Sequence, residues 1–218
     1  LVRDRIGKKP LYYWKDGENL VFASELKPIM EYPGFPRTIR RDVIKRYLYQ
    51  QCVNEPDAIF EHVYKVEPGQ IVRFCSGKTD MWKYWDIAEV YRRKKQENPG
   101  TYEEAKARLK DILRDAVRKR MIADVPVGAF LSGGYDSSLV TAIAQEVSSE
   151  PVKTYSIGFH EERYNEAKYA REVARHLGTQ HTELYVDEKS MFDMVASIPK
   201  YYDEPFADSS QIPSMLVA

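Results

Sequence analysis

Residues with the types and spacing for chemistry concentrate in one stretch, VGAFLSGGYDSSLVTAIAQ, from Val127 to Gln145. An apolar run fit for a strand breaks at Ser132, Gly133 and Gly134, and an amphipathic helical pattern is legible from Ser138 onward. The glycines remove side chains, so backbone N–H groups can approach an anion. The helix start that follows adds unpaired donors and a positive dipole end. The hydroxyls of Ser132, Ser137 and Ser138 add further donors, so the loop reads as a phosphate cradle. Asp136 is the odd member, because a bare carboxylate repels phosphate. A magnesium ion bridging carboxylate and phosphate oxygens removes that conflict, which makes Asp136 the candidate metal ligand and catalytic group. The loop is not of the Walker type, since G-x-x-x-x-G-K-[ST] is absent and no lysine lies in it. The structural alternative is a glycine turn capped by serines, with Asp136 as an acid in the first helical turn.

The elements that must position this loop follow an alternating grammar. VPVGAFL, VKTYSIGF and HTELYV read as strands, and SSLVTAIAQEV and NEAKYAREVARHLG as helices, the latter capped at Asn165 and stopped at Gly178. Strands alternating with helices predict an α/β fold with a parallel, doubly wound sheet, in which ligands bind beyond the carboxyl ends of the strands. Thr101 and Glu104 predict a capping box. The helix they start should cover the sheet with Leu109, Ile112, Leu113, Ala116 and Val117. Upstream, KKPLYYWKDGENLVFAS reads as a hairpin about Asp16 and Gly17, and RDVIKRYLYQQ as a helix with Val43, Ile44, Tyr47 and Leu48 on one face. VYKVEPGQIVRF gives two strands around Pro68-Gly69. The charged, aperiodic IAEVYRRKKQENPG is read as a linker over 87–100, between one domain at 1–86 and another at 101–218.

Composition bounds the partners. The 33 basic residues cancel the 33 acidic ones among 218, which removes long-range electrostatic support for nucleic-acid or membrane binding. No run approaches the roughly 20 apolar residues that span a bilayer, and no signal peptide opens the chain. The two cysteines, Cys52 and Cys75, form no CxxC or Cys/His cluster and are expected to be core thiols in a reduced, cytoplasmic protein. The four histidines lack ligand spacing, and His181 is expected to be a hydrogen-bonded structural residue. Arg3, Arg5, Lys8 and Lys9 form a basic run expected to be solvated or at a domain interface. Opening at Leu1 and closing within the helical pattern QIPSMLVA, the chain is expected to be a piece of a longer polypeptide.

The string SGGxDSS resembles the pyrophosphate loop of the N-type ATP pyrophosphatases, which split ATP into AMP and pyrophosphate to activate an oxygen as an adenylate. RDRIGKKPLYY and FASELKPI resemble the closing part of the glutaminase domain of class II amidotransferases. VPVGAFLSGGYDSS, YSIGF and DEPFADSSQIP resemble the synthetase domain of glutamine-hydrolysing asparagine synthetases. The resemblance runs in order through nearly the whole chain. It implies an adenine nucleotide alpha hydrolase-like sheet preceded by the C-terminal part of an α+β Ntn-hydrolase glutaminase domain. It implies ATP and magnesium as cofactors, with aspartate, ATP and glutamine or ammonia as small-molecule partners. Nucleic acid and membrane are excluded, and a homodimer is left open. The implied reaction makes β-aspartyl adenylate and then asparagine, AMP and pyrophosphate. Ser132, Gly133, Gly134, Asp136, Ser137 and Ser138 would bind the nucleotide, with Leu131 and Ile157 lining the adenine pocket. Asp203, Glu204 and Asp208 would form an acidic loop serving metal, substrate ammonium or structure, with Asp208 as cap of a helix near Ser209 the structural alternative.

Departures from the family bear on activity. Its glutaminase uses an N-terminal cysteine whose own α-amino group serves as base, whereas this chain begins with Leu1. The glutamine-binding motifs that precede RDRIG in the family, and the groups that follow the position of Ala218, are also missing. The chain by itself is therefore expected to be inactive. Two rivals share the loop: a β-lactam synthetase or lasso-peptide cyclase that adenylates another carboxylate, and a nucleotide-binding module without turnover.

Overall fold

The structure, a computed structural model, describes residues 1–17, 19–97, 100–161 and 165–217. The expected end of the linker at Asn98 and Pro99, and Ala218, lie outside the described residues. The chain divides into two compact units. The first is Leu1–Asn98 with Ser197–Ser209, and the second is Pro99–Ala196 with Ser210–Ala218. No helix among the described residues is long and apolar enough to cross a membrane.

In the first unit β1 (Tyr12–Asp16) and β2 (Asn19–Ala23) form the expected antiparallel hairpin, and β3 (Val63–Lys65) pairs with the other edge of β1. Both faces of β1 are covered, which explains three consecutive buried aromatics. Tyr12 and Trp14 pack with Leu26, Ile29, Val43 and Val63, while Tyr13 packs with Val66 and Val72 on the opposite side. Helices α1 (Leu26–Met30) and α2 (Arg41–Gln50) supply the first of these cores. Of the face expected on α2, Val43 is buried and Leu48 is exposed.

The pair β4 (Gln70–Cys75) and β5 (Lys78–Lys83) is a hairpin that the alternation of residues did not reveal. Its turn residues Ser76 and Gly77 both have positive φ, the twist that suits a two-residue hairpin loop. The linker stretch also holds a helix, α3 (Ile87–Lys94). Asp86 starts it by accepting from the N–H groups of Ala88 and Glu89 at 2.8 and 3.2 Å.

Two readings of this region change. Cys75 is exposed and Cys52 half-buried, so neither is a core thiol; Val72 of β4 points inward and the Cys75 end of the strand stays open to solvent. Arg3 is not solvated. Its guanidinium donates to the carbonyls of Val66, Lys9 and Gly7 at 2.7, 3.0 and 3.0 Å and to Glu55 at 2.8 Å, which satisfies a buried cation.

The second unit opens with α4 (Tyr102–Arg120), started by the predicted capping box. Thr101 Oγ1 accepts from the Glu104 N–H at 3.3 Å, and Glu104 Oε2 accepts from the Thr101 N–H at 2.8 Å. This helix packs on another helix rather than on the sheet. Leu113 and Val117 meet Ile143, Ala144 and Val147 of α5 (Tyr135–Val147), whereas Leu109 and Ile112 remain 55% and 57% exposed.

Strands β6 (Gly128–Phe130), β7 (Lys153–Phe159) and β8 (Gln180–Val186) form a parallel sheet in that order, joined through α5 and α6 (Ala167–Leu177). The strand order follows the chain order, so the reversal that makes a sheet doubly wound is not among these three strands. The N-cap of α6 is Glu166 rather than the expected Asn165, whose Oδ1 accepts from the Ala167 N–H at 3.1 Å from one residue further out; Gly178, with φ of 69°, ends α6 as expected.

One sheet face lies under α6, and Arg171 staples it through a bidentate pair to Glu183 at 2.6 and 2.5 Å. The same face holds His181 between the hydroxyls of Thr154, 2.9 Å from Nδ1, and Ser156, 3.3 Å from Nε2. The other face is more open, with Phe130 60% exposed. After α7 (Glu188–Val195) and the short α8 (Ile198–Tyr201), the last helix, α9 (Gln211–Val217), returns to this second face against β7. There Val217, Gly128, Phe130 and Tyr155 line a cavity of about 500 Å³.

His181 gives the second unit a pH dependence. Burial holds its pKa below the ordinary 6.5, with the Glu183 carboxylate opposing and the Arg171 charge adding to the effect. A depressed histidine contributes stability that is complete above the unfolded pKa and is lost as pH falls through the folded one. The melting temperature should therefore drop on acidification from about pH 7 to about pH 5, above the range in which most carboxylates titrate. His181→Gln should flatten that slope in a thermal melt series; identical slopes for the two proteins would refute the assignment.

Candidate functional site

The loop expected to bind phosphate starts where β6 ends. The Leu131 N–H donates to the Tyr155 carbonyl at 2.8 Å, and its side chain, 1% exposed, packs on Ala170, Ala174 and Val173 of α6. Helix α5 then begins at Tyr135 rather than at Ser138. Gly134 serves as its extended N-cap, with φ −74° and ψ 165°, and the Ser138 N–H closes the first turn onto the Gly134 carbonyl at 3.0 Å. Asp136, Ser137 and Ser138 thus stand in the first helical turn, so the donors of this loop are in part the free N–H groups of a helix N-terminus.

Gly133 sets how closely the loop approaches its neighbour. Its φ is +81°, and an added Cβ would fall 2.7 Å from Tyr169 Cβ and 2.8 Å from the Ala170 nitrogen in the first turns of α6. Only glycine meets both the left-handed backbone and the missing space.

The hydroxyls differ in what they can offer. Ser137 Oγ donates to the Gly134 carbonyl at 3.2 Å and lies 2.9 Å from Ser132 Oγ, which accepts from the Gly134 N–H at 3.4 Å. These two serines hold the loop's shape. Ser138 Oγ is buried without a hydrogen-bond partner among the described residues, an orphaned donor beside the loop. The Asp136 carboxylate is exposed and makes no hydrogen bond or ion pair with the described residues.

No group of three or more His, Cys, Asp or Glu capable of holding a metal occurs among the described residues. A single free carboxylate beside the free N–H groups of a helix start would fit magnesium, which keeps waters and takes phosphate oxygens of a substrate as its other ligands. It does not fit a metal enclosed by protein groups alone.

The two residues expected at an adenine pocket separate. Thr154 and Ser156 face α6, so Ile157, like Tyr155, turns to the opposite face of β7, away from the side on which Leu131 is buried. What Leu131 can present to a base is its backbone.

The acidic loop lies in the other unit. Asp203 accepts from the Leu26 N–H at 2.6 Å and pairs with Lys27 at 2.5 Å. Glu204 accepts from the Ile59 N–H at 2.7 Å, from Lys65 at 2.5 Å and from the Tyr12 hydroxyl at 3.3 Å. Burial pushes the Glu204 carboxyl above its ordinary value against the pull of Lys65, and it raises the Tyr12 hydroxyl in the same direction. Asp208 is exposed in the same segment, and the next helix begins after it, at Gln211. Sequence reasoning missed Lys65, Tyr12 and the Ile59 N–H as partners of this loop. They lie 139, 192 and 145 residues away, and no local pattern signals such pairing.

Residues 108–218 match the family described as Asparagine synthase. The chain belongs to the asparagine synthase family. Residues 1–85 match a second description, Glutamine amidotransferase domain. Among curated relatives, the Putative asparagine synthetase [glutamine-hydrolyzing] 2 of Methanocaldococcus jannaschii is 36% identical over 224 residues, covering 99% of this chain and 42% of the relative. The Asparagine synthetase [glutamine-hydrolyzing] 1 of Bacillus subtilis (strain 168) is 34% identical over 217 residues, covering 100% of this chain and 33% of the relative. The asparagine synthase chain therefore spans well under half the length of these relatives. A solved NH3-dependent NAD synthetase from Campylobacter jejuni aligns with a TM-score of 0.34 and 16% identity, covering 50% of this chain and 46% of the other, too low a similarity to bear on the fold.

Gly133 and Gly134 provide a paired test of the loop. Gly133→Ala forces a left-handed alanine, about 1–2 kcal/mol by itself, and drives its Cβ into the α6 backbone. Its melting temperature should fall. Gly134→Ala meets only Ser132 Oγ, at 3.4 Å, and should melt near the parent. Equal melting temperatures for the two variants would contradict the close approach.

Proposed function

We propose that this chain is the part of a glutamine-hydrolysing asparagine synthetase that joins the end of the glutaminase to the nucleotide-binding start of the synthetase, acting in the cytoplasm. The observation that carries this reading is the Ser132–Ser138 loop, with its orphaned Ser138 hydroxyl and unengaged Asp136, in a member of the asparagine synthase family. On this reading 1–86 is the C-terminal part of an Ntn-hydrolase glutaminase, 87–100 the connection, and 101–218 the start of a doubly wound synthetase domain.

In the proposed reaction the β-carboxylate of aspartate attacks the α-phosphorus of ATP. The bond to the pyrophosphate oxygen breaks, leaving β-aspartyl adenylate. Ammonia then attacks the acyl carbon, AMP leaves with the electron pair of the cleaved C–O bond, and the amide nitrogen loses a proton to give asparagine. The loop N–H groups and the Ser138 hydroxyl hold the phosphate oxygens and offset the charge that grows on the departing pyrophosphate. Asp136 would hold the magnesium ion, which when bound neutralises phosphate charge. The Leu131 backbone and the Ile157 side chain border the adenine.

Asp136→Asn tests the central role. Asparagine keeps the size and much of the helix-start preference, so stability should change by about 1 kcal/mol or less. A lost ligand to a metal at a charged transition state costs several kcal/mol, a fall of roughly a hundredfold or more in rate. Magnesium-dependent ATP binding by this chain should weaken correspondingly. So should aspartate-dependent pyrophosphate release, with ammonia as donor, by a polypeptide of the relatives' length. Near-normal turnover at saturating magnesium would reduce Asp136 to a helix-start acid.

A further inference from the structure

Helix α6 is the surface against which the Ser132–Ser138 loop is set. Leu131 packs on Ala170, Ala174 and Val173, and the Gly133 backbone comes so close to Tyr169 and Ala170 that no Cβ fits between them. Where the loop stands therefore depends on where α6 stands on β7 and β8.

Apolar contact alone sets little of that placement. The residues that α6 buries are three alanines, Ala167, Ala170 and Ala174. Methyl groups let a helix approach a sheet closely, but each buries a small area and none interlocks with a partner, so such a face resists separation more than sliding or rotation. Among the described residues, the side-chain hydrogen bonds from α6 to the strands come from one residue. Arg171 donates through Nε and Nη2 to the two oxygens of Glu183 at 2.6 and 2.5 Å, and through Nη2 to the Tyr185 hydroxyl at 3.1 Å. A planar fork on a carboxylate fixes orientation as well as distance. Both acceptors are themselves seated. The Glu183 side chain is 14% exposed, with His181 Nε2 3.7 Å from its Oε1, and the Tyr185 ring fills the space that a Cβ on Gly158 would need. The bond from Arg171 holds the Glu183 carboxyl below its ordinary range, which keeps the pair ionised at neutral pH. In sequence Arg171 follows Ala170 directly, so the fork sits one position from the contact with Gly133.

We propose that Arg171 is a positioning residue for the loop: with Glu183 and Tyr185 it fixes the rotation and register of α6 on the sheet, and so the seat of Leu131 and Gly133. Every group in this chain of contacts lies within the second unit. Its consequence for ATP rests on the function proposed above; the positioning itself does not.

Hydrogen exchange read by mass spectrometry on the unliganded chain tests the positioning. Arg171→Met removes three charge-assisted hydrogen bonds and should raise exchange roughly tenfold in peptides covering 131–138. Arg175→Met removes a like charge from an exposed position one turn further along α6, leaves the fork intact and should keep the parent rate. Arg171→Lys keeps the charge without the fork, so its exchange should fall between the parent and Arg171→Met. Glu183→Gln should likewise give an intermediate rise. Parent-like exchange at 131–138 in both Arg171→Met and Glu183→Gln would overturn the proposal, as would an equal rise in Arg175→Met or full recovery in Arg171→Lys. If Arg171→Met does not fold, Arg171→Lys and Glu183→Gln carry the same comparison. With magnesium present, the Kd for ATP should rise severalfold in Arg171→Met, less in Arg171→Lys and not in Arg175→Met; a Kd unmoved in all three would overturn the bearing of Arg171 on ATP. Absence of ATP binding by the parent chain would defeat the functional reading and leave exchange at 131–138 to decide the positioning.

Discussion

The second unit depends on one close backbone approach, that of Gly133 to the start of α6. With no Cβ there, the chain leaving β6 can bend tightly, tuck Leu131 between the loop and the alanines of α6, and enter α5 directly. A side chain at 133 would push the loop off α6, uncover Leu131 and redirect the first turn of α5. The free N–H groups, the orphaned Ser138 hydroxyl and the unengaged Asp136 carboxylate stand together because that bend is possible.

The first unit solves a different problem, the burial of charge. Arg3 and Lys65 lie inside, and each is matched by an acid and by at least one backbone carbonyl rather than left to solvent. Such pairs add little net stability over apolar packing, yet they tolerate few alternative arrangements. Glu204 illustrates the consequence. Its oxygens are met by a lysine, a phenol and a backbone N–H, a geometry that fixes where the late segment 197–209 must lie.

Local grammar was legible in the sequence wherever the physics is local. The capping box at Thr101 and Glu104, the stop at Gly178, the hairpin around Gly17 and the three parallel strands follow from hydrogen bonds and backbone preferences within a few residues. The loop SGGYDSS was legible for the same reason, since glycine, hydroxyl and helix start are contiguous. The β4–β5 hairpin escaped because Met81 and Trp82 of β5 are exposed, so no buried face imposes alternation. Helix α3 escaped because none of its residues is buried, so Ile87, Val90 and Tyr91 share a face that no core confirms.

By itself the sequence determined the family, the glycine-serine loop at a helix start and the parallel α/β character of the second unit, because each is written in contiguous residues or short repeats. Only the tertiary structure decided that α4 covers α5, that Leu131 and Ile157 turn to opposite faces of the sheet, that Arg3 is buried, and that Asp203 and Glu204 are held by lysines and N–H groups of the first unit. Those outcomes depend on which surfaces meet in the folded chain, across 52 and 63 residues for Arg3 and across as many as 192 for Glu204. A buried carboxylate takes whatever cation the fold delivers to it, and nothing in DEPFAD names Lys65.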